Sequence, residues 1–133
     1  MTRRAVLSMA AATTVAAFAD ERTEVLEIVS PLASALSNGD AEGFLRLIPA
    51  DSPNRTQLAD NIRALLAQAE MTCSVQLRKY EQGIAELDWY MEIRSRATAS
   101  MIERRKQIVT VRIRNRQVFS IEPVDFFKPA AVR

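Results

Sequence analysis

The chain has 133 residues, with 18 Lys and Arg against 16 Asp and Glu, no histidine, one cysteine and three glycines. The missing histidine removes the usual general base near neutral pH and the commonest metal ligand. A single Cys73 excludes an internal disulfide or a thiolate metal cluster, and Gly39, Gly43 and Gly83 are too scattered for a phosphate-binding loop.

The first segment reads as an export signal over residues 1–19. Met1-Thr2-Arg3-Arg4 is basic, Ala5–Ala19 carries no charge, and Ala17-Phe18-Ala19 is a small-x-small exit before Asp20, Glu21, Arg22 and Glu24. The apolar run is shorter than the roughly 20 residues that span a bilayer. The competing reading, an amphipathic first helix, lacks a polar face. Thr2-Arg3-Arg4-Ala5-Val6-Leu7-Ser8 resembles a twin-arginine signal, and the general secretory route stays open beside it. A lipoprotein would carry Cys where Asp20 stands. Cleavage after Ala19 leaves residues 20–133 as one domain in the periplasm or outside the cell, without a lasting membrane anchor. Arg3 and Arg4 depart and no acid does, so the mature chain has sixteen charges of each sign and a formal net charge of zero. Its basic character belongs to the signal, and no nucleic-acid partner is expected.

Three helices are expected next. Val25, Ile28, Val29, Leu32 and Leu36 recur at helical spacing, with a kink expected at Pro31 and an end at Asn38-Gly39. Asp40 caps a short helix carrying Phe44, Leu45, Leu47 and Ile48, which Pro49 ends. Asn54 and Gln57 read as a capping box for a third helix with Leu58, Ile62, Leu65, Leu66 and Ala69. After Glu70 the period becomes two. Cys73, Val75 and Leu77 alternate with polar neighbours, Glu81-Gln82-Gly83 is a hairpin turn, and Ala85, Leu87, Trp89, Met91 and Ile93 continue the apolar face. A loop at residues 97–100 leads to a strand with Val109, Val111 and Ile113. Asn115-Arg116 turns into a last strand over residues 118–121, Pro123 ends it, and a tail from about residue 124 carries Phe126 and Phe127.

This is an α+β layout: three helices packed on an antiparallel four-stranded sheet whose other face looks outward. Leu36-Ser37-Asn38-Gly39-Asp40-Ala41-Glu42-Gly43-Phe44-Leu45, with the element order from Glu21 to about Pro123, resembles the nuclear transport factor 2-like superfamily of SnoaL-like cyclases, ketosteroid isomerase and scytalone dehydratase. The chain departs from that pattern in having no short strand between the second and third helices. The resemblance implies a cone-shaped, cystatin-like fold with a pocket between sheet and helices, and a dimer through the sheet. It implies no single activity, because such folds host enzymes and binders alike.

On the helix-facing side, Phe44, Leu87, Trp89, Met91, Val111 and Phe119 are the candidate ligand-pocket residues, with a simply filled core as the competing reading. Phe126 and Phe127 either close the pocket's mouth or seal the sheet edge. Cys73 alternates with the apolar face and reads as a core residue. No catalytic set, cofactor or metal site is recognisable. The nearest approach is Asp88 with Tyr90, two apart and so on one face, as an isomerase-like site would need; but the alternation points both outward. Across the sheet, Arg78 and Arg114 are expected opposite Glu86, and Arg112 opposite Asp88. Tyr80, Ile84, Tyr90 and Ile108 are expected on the outward face as a homodimer interface. The sequence thus reads as an exported, non-catalytic domain that binds a small apolar ligand or a protein partner. The alternative is a pocket enzyme of the isomerase, dehydratase or cyclase type.

Overall fold

A computed structural model describes residues 21–130; the expected export signal lies outside them. Helix α1 runs over residues 21–37, α2 over Ala41–Arg46 and α3 over Arg55–Gln68. Four strands follow: β1 Ala69–Glu81, β2 Ile84–Ser95, β3 Met101–Arg114 and β4 Gln117–Glu122. They pair in chain order as an antiparallel meander, a curved and unclosed sheet with β1 and β4 at its edges. A 3-10 turn, Val124–Phe127, returns the chain to the helices.

Helix α1 buries Val25, Val29, Leu32 and Leu36 and passes through Pro31 without a break. It stops where Gly39 takes φ +70° and the Asp40 amide donates to Ala35 O at 2.8 Å. The Asp40 carboxylate accepts from Gly43 N at 2.8 Å, which starts α2 as expected. Helix α3 starts differently from its expected capping box. Asn54 sits at φ 59° and its side chain caps nothing. Its neighbour Arg55 instead donates to Leu45 O and Ile48 O at 3.0 and 3.1 Å, placing a cation against carbonyls at and just beyond the C-terminal end of α2.

The β1–β2 hairpin turns at Gln82-Gly83, both with positive φ (50° and 77°), the geometry a two-residue loop needs to match strand twist. Its ladder slips by one residue between Leu77 and Lys79, so Lys79, not Arg78, stands opposite Glu86. That slip inverts the parity of the strand end. Tyr80 therefore pairs with the buried Ala85 and packs against the helix-side core, not on the outward face where simple alternation would put it. The second hairpin also differs from expectation: Glu86 faces Thr110 and Asp88 faces Ile108, so Arg114 and Arg112 are not their partners. Strand β3 begins at Met101, and its earlier start displaces the register.

Edge strand β1 is not left open. Ser37 at the end of α1 accepts from Cys73 N at 3.1 Å, and Arg22 donates to Leu77 O at 3.2 Å. Covering those backbone groups blunts the edge against pairing with another chain. No helix among the described residues is long and apolar enough to cross a membrane.

Candidate functional site

The inward side of the sheet is where a pocket would lie. Ala85, Leu87, Trp89, Met91 and Ile93 all point there from β2, and Val109 and Val111 join them from β3. Phe44 from α2 meets them from the opposite wall. The space between is occupied by the chain's own tail. Phe127 places its ring 5.3 Å from Trp89 and 5.9 Å from Phe44, centroid to centroid, and 5.2 Å from Phe126. Phe126 is 6.5 Å from Trp89. These are edge-on and tilted arrangements, the preferred geometry for aromatic pairs. Of the expected pocket residues, Phe44, Leu87, Trp89, Met91 and Val111 are thus fully enclosed in packed protein. None of them lines any of the five best-formed clefts among the described residues. Phe119 lies elsewhere. It falls at the β3–β4 irregularity, and the Arg114 guanidinium covers its ring at 3.8 Å. Arg114 follows the inward Ile113, so this contact is on the outward face.

The tail is held by side chains that grip its backbone. Gln68 makes a two-way pair with Ala130, donating to its carbonyl at 2.7 Å and accepting from its amide at 2.9 Å. Asn61 donates to Val124 O at 3.0 Å. Arg105 donates from Nη1 to Phe126 O at 2.9 Å and Lys128 O at 2.6 Å, and pairs with Glu103 at 2.8 Å. The sequence alone did not place Arg105 in the interior. It lies opposite inward Met91 and is only 8% exposed. The available signal was its phase: it is two and four positions before Gln107 and Val109 on the inward row. The arginine has its acid and two carbonyls, so it adds no unpaired charge to the interior.

Two polar groups are less well served, the buried Trp89 indole and the half-buried Cys73 thiol. The Trp89 indole N–H meets no acceptor in bonding geometry; the Cys73 sulfur is the polar atom it faces. Burial pushes the Cys73 thiol up to about 11, against a smaller opposing effect of Trp89 and Ser37. A thiol held in that form is a poor nucleophile near neutral pH.

The outward face carries the ionisable groups. Asp88, Tyr90 and Lys106 share a shallow cleft of about 320 Å³ with Ser74 and Gln76. Tyr90 donates its hydroxyl to Glu92 Oε2 at 2.9 Å. That bond raises the Tyr90 pKa and holds the Glu92 carboxyl below its ordinary value, with Arg94 and Arg104 also beside Glu92 at 3.3 and 3.7 Å. Asp88 pairs loosely with Arg78 at 3.7 Å. Asp88 and Tyr90 therefore share one face and one cleft, on the side of the sheet away from the enclosed interior. Ile84 and Ile108 lie on this face too, and Ile108 is 41% exposed. Among the described residues no group of three His, Cys, Asp or Glu side chains is placed to hold a metal ion.

A helical wall over a curved meander, with the interior between them, is the cone-shaped, cystatin-like fold expected from the sequence. No protein-family model matches the chain, and no curated protein matches it. Solved structures do. The Δ5-3-ketosteroid isomerase of Mycobacterium sp. superposes with a TM-score of 0.59 at 12% identity, over 74% of this chain and 89% of that one. An LEH-like epoxide hydrolase of M. tuberculosis gives 0.54 at 12% identity, over 76% and 81%. A computationally designed 17-OHP binder gives 0.55 at 11% identity, over 72% and 86%. At such identities the likeness is one of fold, and that fold serves both enzymes and a binder.

Proposed function

We propose that this protein is an exported, non-catalytic domain that works by binding a protein partner through the outward face of its sheet. The observation that carries the reading is the occupied interior. Trp89, Phe44, Phe126 and Phe127 fill the space where a small molecule would sit, and Arg105, the buried ionisable side chain that β3 sends there, is bonded to the tail and to Glu103. The filled core favours a protein partner over a small apolar ligand. Export rests on residues 1–19.

Trp89 is the only tryptophan, so its emission reports on the interior directly. Titration with a 3-ketosteroid and with an apolar dye should leave the spectrum unchanged apart from dilution. A saturable change in Trp89 emission would overturn the reading in favour of a ligand pocket.

A second reading has one observation in its favour, the shared cleft of Asp88 and Tyr90. It makes the protein a surface-cleft isomerase using carboxylate and phenol. The Tyr90 hydroxyl is already given to Glu92, which leaves it no proton to donate to a substrate oxyanion. Isomerase turnover that disappears in Asp88→Asn would establish this reading; the absence of turnover with a 3-oxo-Δ5 steroid counts against it.

A further inference from the structure

The largest of the five clefts, about 370 Å³, lies at the corner where β1 starts beside the end of α1. That volume is toward the lower end of the range of about 300–1,000 Å³ typical of ligand pockets. Ser37, Asn38 and Gly39 come to it from the end of α1, Glu70, Met71 and Thr72 from the start of β1, and Arg94 and Arg96 from the end of β2. Met71 has its side chain in the core, so what it shows the cleft is backbone. In an antiparallel pair, alternate residues aim both N–H and C=O away from the partner strand. Two bonds identify that set on β1. Cys73 N–H goes to Ser37 at 3.1 Å and Leu77 O receives Arg22 at 3.2 Å, neither of them in β2. Met71 is two before Cys73 in an unbroken stretch of register, so its N–H and C=O point away from β2 as well. Among the described residues no side chain or loop bonds either group, and Met71 is only 4% exposed. A nearly enclosed backbone donor and acceptor left open are an exception in folded proteins.

Arg96 lines the same cleft. Its Nε donates to Leu66 O at 2.8 Å, one of the last carbonyls of α3, which have no donor within the helix. That bond fixes the guanidinium and uses one of its five N–H groups. Nη2 comes within 3.2 Å of where a Cβ on Gly39 would stand, so the glycine turn leaves it room. Nη1 is 3.8 Å from Glu70, beyond hydrogen-bonding range, and that acid's side chain is 70% exposed. The other donors of Arg96 are thus held in place and unspent among the described residues. Arg94, by contrast, is already bonded to Glu92 at 3.3 Å.

We propose that this cleft captures the free carboxyl end of a peptide, its last residue laid along β1 at Met71 and its carboxylate on Arg96. The N–H of that residue donates to Met71 O. One carboxylate oxygen accepts from Met71 N–H, and Arg96 holds the other. This is strand addition limited to a single residue. Ser37 occupies the next such group on the edge, Cys73 N–H, so the edge is open to a chain end and closed to a passing strand. A guanidinium with unspent donors selects the carboxyl end over the amino end. The site lies apart from the enclosed interior and is independent of what the outward face binds.

The test is an NMR titration of the nitrogen-15-labelled chain with acetyl-trialanine bearing a free carboxylate, taken to about 10 mM so as to pass a Kd of about 1 mM. Saturable shifts are expected at the Met71 amide and the Arg96 Nε–H. The same peptide with a carboxamide end should bind at least about tenfold more weakly, because the charge-assisted bond is lost. Arg96→Gln should weaken the carboxylate peptide by about the same factor. Glu70→Gln removes the competing acid and leaves the Leu66 bond alone, so it should tighten binding roughly two- to fivefold. The absence of any saturable shift, equal binding of the carboxamide, or acetate binding as tightly as the peptide overturns the site. So does binding that neither Arg96→Gln nor Glu70→Gln alters.

Discussion

Replacing Phe127 with alanine tests whether the tail is part of the core. The side chain is fully enclosed and its ring touches three others, those of Phe44, Trp89 and Phe126. Truncating a buried phenylalanine costs about 3–5 kcal/mol, from lost transfer energy and the void left behind. The rigid strands and α3 around the site allow little collapse, so the loss should fall near the middle, about 4 kcal/mol. Against a total of about 5–15 kcal/mol for a domain of this size, that is a large fraction. Urea unfolding followed by Trp89 emission reads it well, because the probe is the ring's own neighbour. With a slope of about 1.5 kcal/mol per molar, the midpoint should move down by roughly 2–3 M. The void should be apolar and dry, on the order of 100 Å³, and should admit a benzene-sized molecule. Benzene should therefore raise the thermal midpoint of Phe127→Ala and leave the parent unchanged. A loss under about 1 kcal/mol, with an unaltered Trp89 spectrum, would refute the account of a tail-filled interior.

Other consequences follow from the same contacts. Arg105→Met should cost about 2–3 kcal/mol, by removing charge-assisted bonds to Phe126 O and Lys128 O. Limited chymotryptic digestion should then cleave after Phe126 and Phe127 sooner than in the parent, and Arg105→Lys should not rescue it, since one ammonium cannot serve Glu103 and two carbonyls in the same fork. Of the two tyrosines, Tyr90 should ionise above the ordinary range in a tyrosinate absorbance titration, and Glu92→Gln should bring it down, because the carboxylate bond is the main cause of the rise. The linked stability has two ends. Glu92, whose folded pKa is lowered, contributes above its unfolded value of about 4.5 and loses that contribution as pH falls through the folded one. Tyr90, whose folded pKa is raised, contributes below about 10 and loses it as pH rises further. Cys73, with its thiol pushed up to about 11, should resist a thiol reagent at pH 8 in the folded chain and react at once in urea. Rapid labelling of the native protein would contradict the raised thiol pKa of this half-buried residue.

The sequence pattern carried the layers and lost the details where a strand irregularity reversed its phase. The run from Ala85 to Ile93 is unbroken, and each of its apolar residues is where alternation puts it. Tyr80 and Phe119 are not, because each follows or occupies a ladder slip, and one extra residue changes the face of everything after it. No local residue signal marks those slips: Arg78 and Phe119 are ordinary strand residues. The grip of Asn61, Gln68 and Arg105 on the tail was equally hidden, since it joins residues up to 63 apart in the chain and uses backbone atoms that any sequence would supply. Asn54 shows the converse. A capping-box spacing was present, but the neighbouring Arg55 had better acceptors at the end of α2. The outward charge rows were visible as composition. Their pairing needed the register, which places Glu92 and not Glu86 beside an arginine.

The proposed binding through the outward sheet face requires the interior between sheet and helices to be already full. Acrylamide quenching of Trp89 tests it most directly. A fully enclosed indole packed by Phe126 and Phe127 should be nearly unquenched in the intact chain and become accessible only when those rings are removed or the domain unfolds. Efficient quenching in the native protein would mean an open interior, and would contradict the account.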